Sequence, residues 1–211
     1  MALTQPVAQV VEPDLARLAA GTGWTLTNRA VTAVSVEGRR AVRFDERTGQ
    51  GVALVEGVQF ENGEIEVDIK GQDVPQRSFV GVAFHAIDNT HFDSVYFRPF
   101  NFRAAAPLQR GHAVQYVSEP DFPWQRLRAE RPEQYEHPVQ PAPDPNQWFH
   151  ARVVVRDRKV RVFVDGATQP SLDVDALTDR RSGRVGLWVG EQSGGLFANL
   201  KIRPDAPAGR R

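Results

Sequence analysis

Three carboxylates recur at every second position in Glu64-Ile65-Glu66-Val67-Asp68-Ile69-Lys70. Strict alternation of this kind describes a strand with two faces. Ile65, Val67 and Ile69 take the buried face, and Glu64, Glu66, Asp68 and Lys70 take the other. Neighbouring carboxyls on that face stand about 6.6 Å apart at a rise of ~3.3 Å per residue. Carboxyl pairs do acid–base work on glycosidic bonds, at about 5–5.5 Å in retaining enzymes and about 6.5–9.5 Å in inverting ones. Glu66 and Asp68 are therefore candidate catalytic groups, with Glu64 as a substrate contact beside them. A solvated face with Lys70 as partner accounts for the same pattern without chemistry.

The next strand, Ser78–Ala86, turns Val80, Val82 and Phe84 inward and Phe79, Gly81, Ala83 and His85 outward. Glycine and alanine at strand positions leave space over a sheet, and His85 lies beside that space as a third catalytic candidate. Arg184–Gly190 repeats the pattern, with Trp188 between Gly186 and Gly190 on the outward face. A flat aromatic with room over it stacks sugar rings, unless the 119–147 segment covers it.

Residues 85–116 are dense in polar groups. Tyr96 and Arg98 share a strand face with Ser94, and Pro99 ends that strand or marks an edge. A strand-held arginine offers a forked donor to hydroxyls or a carboxylate. Asn101, Gln115 and Tyr116 complete the set of substrate-binding candidates. His85, His91 and His112 match no metal spacing, so no cofactor is expected. Asp88, Asn89 and Asp93 are the residues that would hold a Ca²⁺, though without the EF-hand pattern. No G-x-S-x-G, G-x-G-x-x-G or P-loop occurs.

Short β-rich segments must position these groups. Eleven of them run between Ala30 and Ile202, separated by turn residues such as Glu37-Gly38, Thr48-Gly49 and Asp165-Gly166. Helical periodicity is confined to Pro13–Gly21 and to a turn or two at Trp124–Arg131. The pattern predicts an all-β fold, an antiparallel sandwich or barrel. Residues 1–22 read as an arm with a short helix, 23–203 as one domain, 119–147 as a Pro-rich insertion and 204–211 as a mobile tail.

Composition narrows the partners. The 211 residues hold 26 Lys plus Arg and 26 Asp plus Glu, a formal net charge of 0. That balance argues against nucleic acid and against an anionic membrane surface as partners. Cysteine is absent, which removes disulfides and thiol nucleophiles. No apolar run reaches the roughly 18–20 residues of a membrane span. The start lacks a charged and an apolar leader region, so the chain as given reads as cytoplasmic, and as exported only if a leader was trimmed. Nothing in the sequence sets an oligomeric state.

The segments FENGEIEVDIKG (60–71), SFVGVAFHAIDNTHFDSVYFRPFNF (78–102), WFHARVVV…VRVFVDGA (148–167) and SGRVGLWVG…GLFANLKI (182–202) resemble the concanavalin A-like lectin/glucanase superfamily. The likeness is to its bacterial laminin G-like and 3-keto-disaccharide hydrolase-like branch. It covers about residues 24–203, and the closing Gly-x-Val-Gly-Leu-Trp and Phe-x-Asn-Leu-x-Ile stretch is its most specific part. The resemblance implies a jelly roll of two curved antiparallel sheets, with a saccharide on the concave face. Laminarinase-type glycosidases of the superfamily carry Glu-x-Asp-x-(x)-Glu on a concave strand. Here the matching order is Glu64-x-Glu66-x-Asp68, with Asp and Glu exchanged. The alginate-lyase branch uses Arg, Gln, His and Tyr, the types found at Arg98, Gln115, His85 and Tyr116. Three functions follow as expectations: a hydrolase or lyase acting on a sugar bond, a non-catalytic carbohydrate-binding module, and a laminin G-like interaction domain. All candidate residues are expected to share one hollow.

Overall fold

The computed structural model describes residues 9–206. It is a jelly-roll-type sandwich of two seven-stranded sheets, antiparallel throughout. One sheet runs in space as β1 (Trp24–Thr27), β4 (Gly51–Val55), β13 (Arg184–Val189), β6 (Val80–Ala86), β7 (Phe92–Phe97), β8 (Val114–Glu119) and β9 (Glu136–His137). The other runs as β12 (Leu172–Asp175), β11 (Lys159–Val164), β10 (Phe149–Arg156), β5 (Gly63–Lys70), β14 (Gly195–Pro204), β3 (Arg39–Phe44) and β2 (Val31–Val36). The first is called the platform sheet and the second the back sheet.

Apolar side chains alternate inward from both and meet in one core. Leu187, Val82, Val95 and Tyr116 make a cross-strand row on the inner face of the platform sheet. Ile65 and Ile69 of β5 oppose them, each fully buried, with Val153, Phe149 and Phe197 beside them in register. β1, β9 and β12 go beyond the eleven segments expected. They are two to four residues long and lie at sheet edges, where little alternation is available to read.

Three short helices decorate the sheets. α1 (Leu15–Ala19) is capped by the Asp14 carboxylate on the Ala16 N–H at 2.9 Å. Val11 pairs with Ile202, so the arm lies against β14. Residues 1–8 and 207–211 of the expected arm and tail fall outside the described residues. Within the expected tail, Pro204 ends β14 and Asp205 pairs with Arg156 at 2.8 Å, so ordered contacts extend past residue 203. α2 (Pro107–Gly111) and α3 (Trp124–Glu130) both belong to the platform side. The Pro-rich insertion thus supplies a helix beside β8 and an extra edge strand, β9. Among the described residues no helix is long and apolar enough to cross a membrane.

Candidate functional site

The register of the platform sheet aligns one outward row across six strands. Val52, Trp188, Gly81, Tyr96, Gln115 and Glu136 are successive partners from β4 to β9. Gly81 is needed there: a Cβ would come within 2.1 Å of the Val95 carbonyl oxygen and 2.6 Å of Tyr96 Cα. The room that glycine was expected to leave over the sheet is therefore filled by neighbouring backbone and rings. At Gly190, Phe79 and Trp188 take the space in the same way. Above the row opens a hollow of about 930 Å³, lined by both sheet residues and the insertion.

Its floor is a buried polar cluster. Arg98 follows β7, and Pro99 starts a 3-10 turn that stops the strand there. Its guanidinium donates to the His112 carbonyl at 2.8 Å, to the Tyr96 hydroxyl at 2.9 Å and to Gln115 Oε1. Tyr96 in turn donates to Gln115 Oε1 at 2.8 Å. The Arg98 guanidinium also stacks over the Tyr96 ring at 4.9 Å. Burial of Tyr96 pushes its phenol up to about 12, so it remains a donor at neutral pH. Asn101 donates to the His112 carbonyl at 3.3 Å.

Glu136 supplies the negative charge that this cluster requires. Arg128 of α3 grips both carboxylate oxygens, at 2.9 and 2.7 Å, and Arg98 lies 3.5 Å away. The bond to Glu136 raises Arg128. His112 places Nδ1 3.3 Å from Glu136 Oε2. Burial holds His112 below its ordinary value, the Glu136 charge works against that, and Arg128 and Arg98 reinforce it.

The walls differ in character. Trp188 is only 7% exposed: Tyr96 lies 4.8 Å away ring to ring, and its indole N–H donates to Gln50 Oε1 at 3.1 Å. It is therefore buried rather than the open plate expected, with Tyr96 and Gln50 against it. The 40%-exposed ring is Trp124, on α3, with Arg128 stacked at 4.9 Å. Glu119 also lines the hollow, its carboxyl pushed up by burial. On the far side, Arg29 binds the carbonyls of Asn28, Gly49, Gly190 and Ser193. It thereby ties together the two loops that carry Gln50 and Glu191. Burial depresses Arg29, which has only backbone acceptors within its grip.

The expected shared hollow needs correction. Tyr96, Arg98, Asn101 and Trp188 line it, and Gln115 lies buried beneath them, bonded to Tyr96 and Arg98. Glu64, Glu66 and Asp68 lie on the outer face of the back sheet, because β5 pairs with β10 and β14. There Asp68 accepts from His150 at 2.8 Å and from Asn199 at 2.7 Å, Glu66 pairs with Arg203 and His150, and Glu64 with Arg152 and Arg156. These are ion pairs of a half-solvated face, in which no carboxyl confronts another across an open site. His85 and Tyr116 also miss the hollow. A β-bulge where β13 meets β6, with His85 at φ 48°, turns the imidazole to the end of the sandwich. There it meets Asp93 at 3.1 Å and the Glu61 carbonyl at 2.8 Å. Tyr116 belongs to the inner row, fully buried against Phe84.

The residues named for Ca²⁺ do not converge either. Asp88 caps its own turn at Thr90 and His91, while Asp93 is buried between His85 and Arg180. Among the described residues no group of three His, Cys, Asp or Glu is arranged to hold a metal. Sequence reasoning missed Trp124, Arg128, Glu136, Gln50 and Arg29. The length of an ordered insertion was the available signal for the first three; nothing in the pattern marked Arg29.

The sandwich has known relatives in structure. It superposes on the carbohydrate-binding module CBM66 of Bacillus subtilis with a TM-score of 0.60 at 17% identity, covering 86% of this chain and 96% of that one. Domain 4 of AbnA, a GH43 extracellular arabinanase of Geobacillus stearothermophilus solved with arabinotriose, gives 0.53 at 16%, covering 87% and 82%. The Ca²⁺/mannose-bound VIP36 exoplasmic/lumenal domain gives 0.56 at 8%, covering 89% and 85%. At these identities the likeness is one of fold. No curated protein matches the chain in sequence. A family model described as the 3-keto-alpha-glucoside-1,2-lyase-like domain matches residues 19–203.

Proposed function

We propose, for a chain that belongs to the 3-keto-alpha-glucoside-1,2-lyase-like family, that the platform-sheet hollow binds a saccharide and that the family's 3-keto glucosides are its first candidate ligands. One observation carries this reading: a buried, hydrogen-bonded Arg98–Tyr96–Gln115 floor beside an exposed Trp124 in one open hollow. Sugars combine hydroxyls with apolar C–H faces, so their sites pair fixed forked donors with an aromatic surface. CBM66, a carbohydrate-binding module, and the AbnA domain, solved with arabinotriose, point the same way.

The test is calorimetric titration with a glycan panel that includes methyl 3-keto-α-glucoside. Trp124→Ala removes a half-exposed ring and leaves the core intact. Loss of a stacked aromatic weakens binding by about tenfold, from ~1.5 kcal/mol of aromatic contact. Undiminished binding in this variant, together with loss in Glu66→Gln, would move the ligand to the back sheet and reject the reading.

A further inference from the structure

We propose that β2 pairs edge to edge with β2 of a second copy of this chain, joining the two back sheets into one. The outermost strands of the two sheets are β1, β9, β12 and β2. The first three are blunted. β9 is two residues long and β1 four. β12 carries Asp173 and Asp175, both exposed, along its length. Short edge strands and charges along them are how sheets avoid pairing with other chains. β2 has neither device. It runs as Val31-Thr32-Ala33-Val34-Ser35-Val36, with no charge, no proline and no bulge in its pairing with β3. Thr32, Ala33 and Ser35 are exposed.

Backbone alternation leaves this edge open. The Asp45 N–H donates to the Ala30 carbonyl at 3.0 Å, so Ala30 faces β3. Every second residue after it, Thr32, Val34 and Val36, faces β3 in turn. The register closes on a tight turn at Glu37 and Gly38, with φ 52° and 78°. Val31, Ala33 and Ser35 face away. Among the described residues no backbone group pairs with their N–H or C=O. A strand of branched, uncharged residues with an open row of donors and acceptors is a template for another strand.

The strand that fits is β2 itself. In antiparallel pairing centred on Ala33, Val31 faces Ser35 of the second copy, Ala33 faces Ala33, and Ser35 faces Val31. Each facing pair exchanges two N–H···O bonds, about six in all. Between these pairs Thr32 lies beside Val34 of the second copy. No charged side chain opposes another within the paired strands. The contact is its own inverse, so it closes at two chains. Its two-fold axis stands perpendicular to the sheet, and both hollows therefore open to the same side of the joined sheet. Two sites on one side suit a surface that repeats one glycan. That consequence rests on the saccharide reading of the hollow; the pairing does not.

Sedimentation velocity over a micromolar to sub-millimolar concentration series tests the pairing. Wild type should show a concentration-dependent dimer. Ala33→Lys and Ala33→Glu each set like charges face to face on the axis and should weaken it by at least ~3-fold. An equimolar mixture of the two should restore it as a heterodimer, because residue 33 meets itself across the axis. Ala33→Pro removes an N–H that β3 does not use, and the two bonds lost per dimer should weaken association by about 30-fold. Circular dichroism reports whether each variant folds. Hydrogen exchange of the wild type decides the matter without any variant: the Val31, Ala33 and Ser35 amides should slow as concentration rises. A monomer at every concentration, a dimer indifferent to all three substitutions, or exchange at those amides that ignores concentration each overturns the inference. None of these measurements involves a sugar, so their failure leaves the saccharide reading to the Trp124→Ala titration.

Discussion

Arg98 shows how much depends on the shape of one side chain. Its fork reaches a backbone carbonyl, a phenol and an amide oxygen at once, while its charge is balanced by Glu136. Lysine keeps the charge but offers a single point of donation. Arg98→Lys should lower stability by about 2–4 kcal/mol, because buried acceptors lose their donor, as measured by urea denaturation. Affinity for a bound saccharide should fall with it. Tyr96, Arg98 and Gln115 were legible because alternation assigns each to a face. His85 was not, since one extra residue at a bulge reverses the face from that point on. Tyr116 is one position from Gln115, and a period of two sends the two to opposite sides.

At the scale of elements, alternation gave the inward and outward faces of β5 correctly, with Ile65, Val67 and Ile69 in the core. It could not give the sheet. Which strands lie side by side is decided by long-range pairing, and β5 finds its neighbours at residues 149–155 and 196–204. Two outward faces with similar polarity therefore look alike in sequence, although they lie on opposite sides of the sandwich. The loops around the hollow pose the reverse problem: their order depends on Arg29, a buried cation surrounded by carbonyls. Arg29→Met fills similar space but leaves four acceptors unmatched. It should cost about 2–4 kcal/mol in denaturant unfolding and weaken ligand binding through displacement of Gln50.

For the whole molecule, zero net charge conceals strong local organisation. The outer face of the back sheet is laced with ion pairs centred on Asp68, Glu66 and His150. The bond to Asp68 raises His150. Burial opposes ionisation of Asp68, yet bonds from His150 and Asn199 hold it below its ordinary value. The raised imidazole stabilises fully below its unfolded value of 6.5, and that contribution is lost as pH climbs through the higher folded value. The depressed carboxylate stabilises fully above its unfolded 3.8, and loses its contribution as pH drops through the lower folded value. The pair therefore acts most strongly between those two limits. His150→Gln should reduce stability at about pH 5 by less than ~1 kcal/mol and have a smaller effect at about pH 9, because the pair is half solvated. Thermal melts at the two values check this.

β9 is two residues long, has one sheet neighbour, and carries Glu136. Edge pairing of that length frays at little cost, and in this chain fraying would also release the carboxylate that Arg98, Arg128 and His112 share. A guest in the hollow that leans on those three side chains thus binds only the zipped form of the edge, so its affinity and the closing of β9 draw on a single equilibrium.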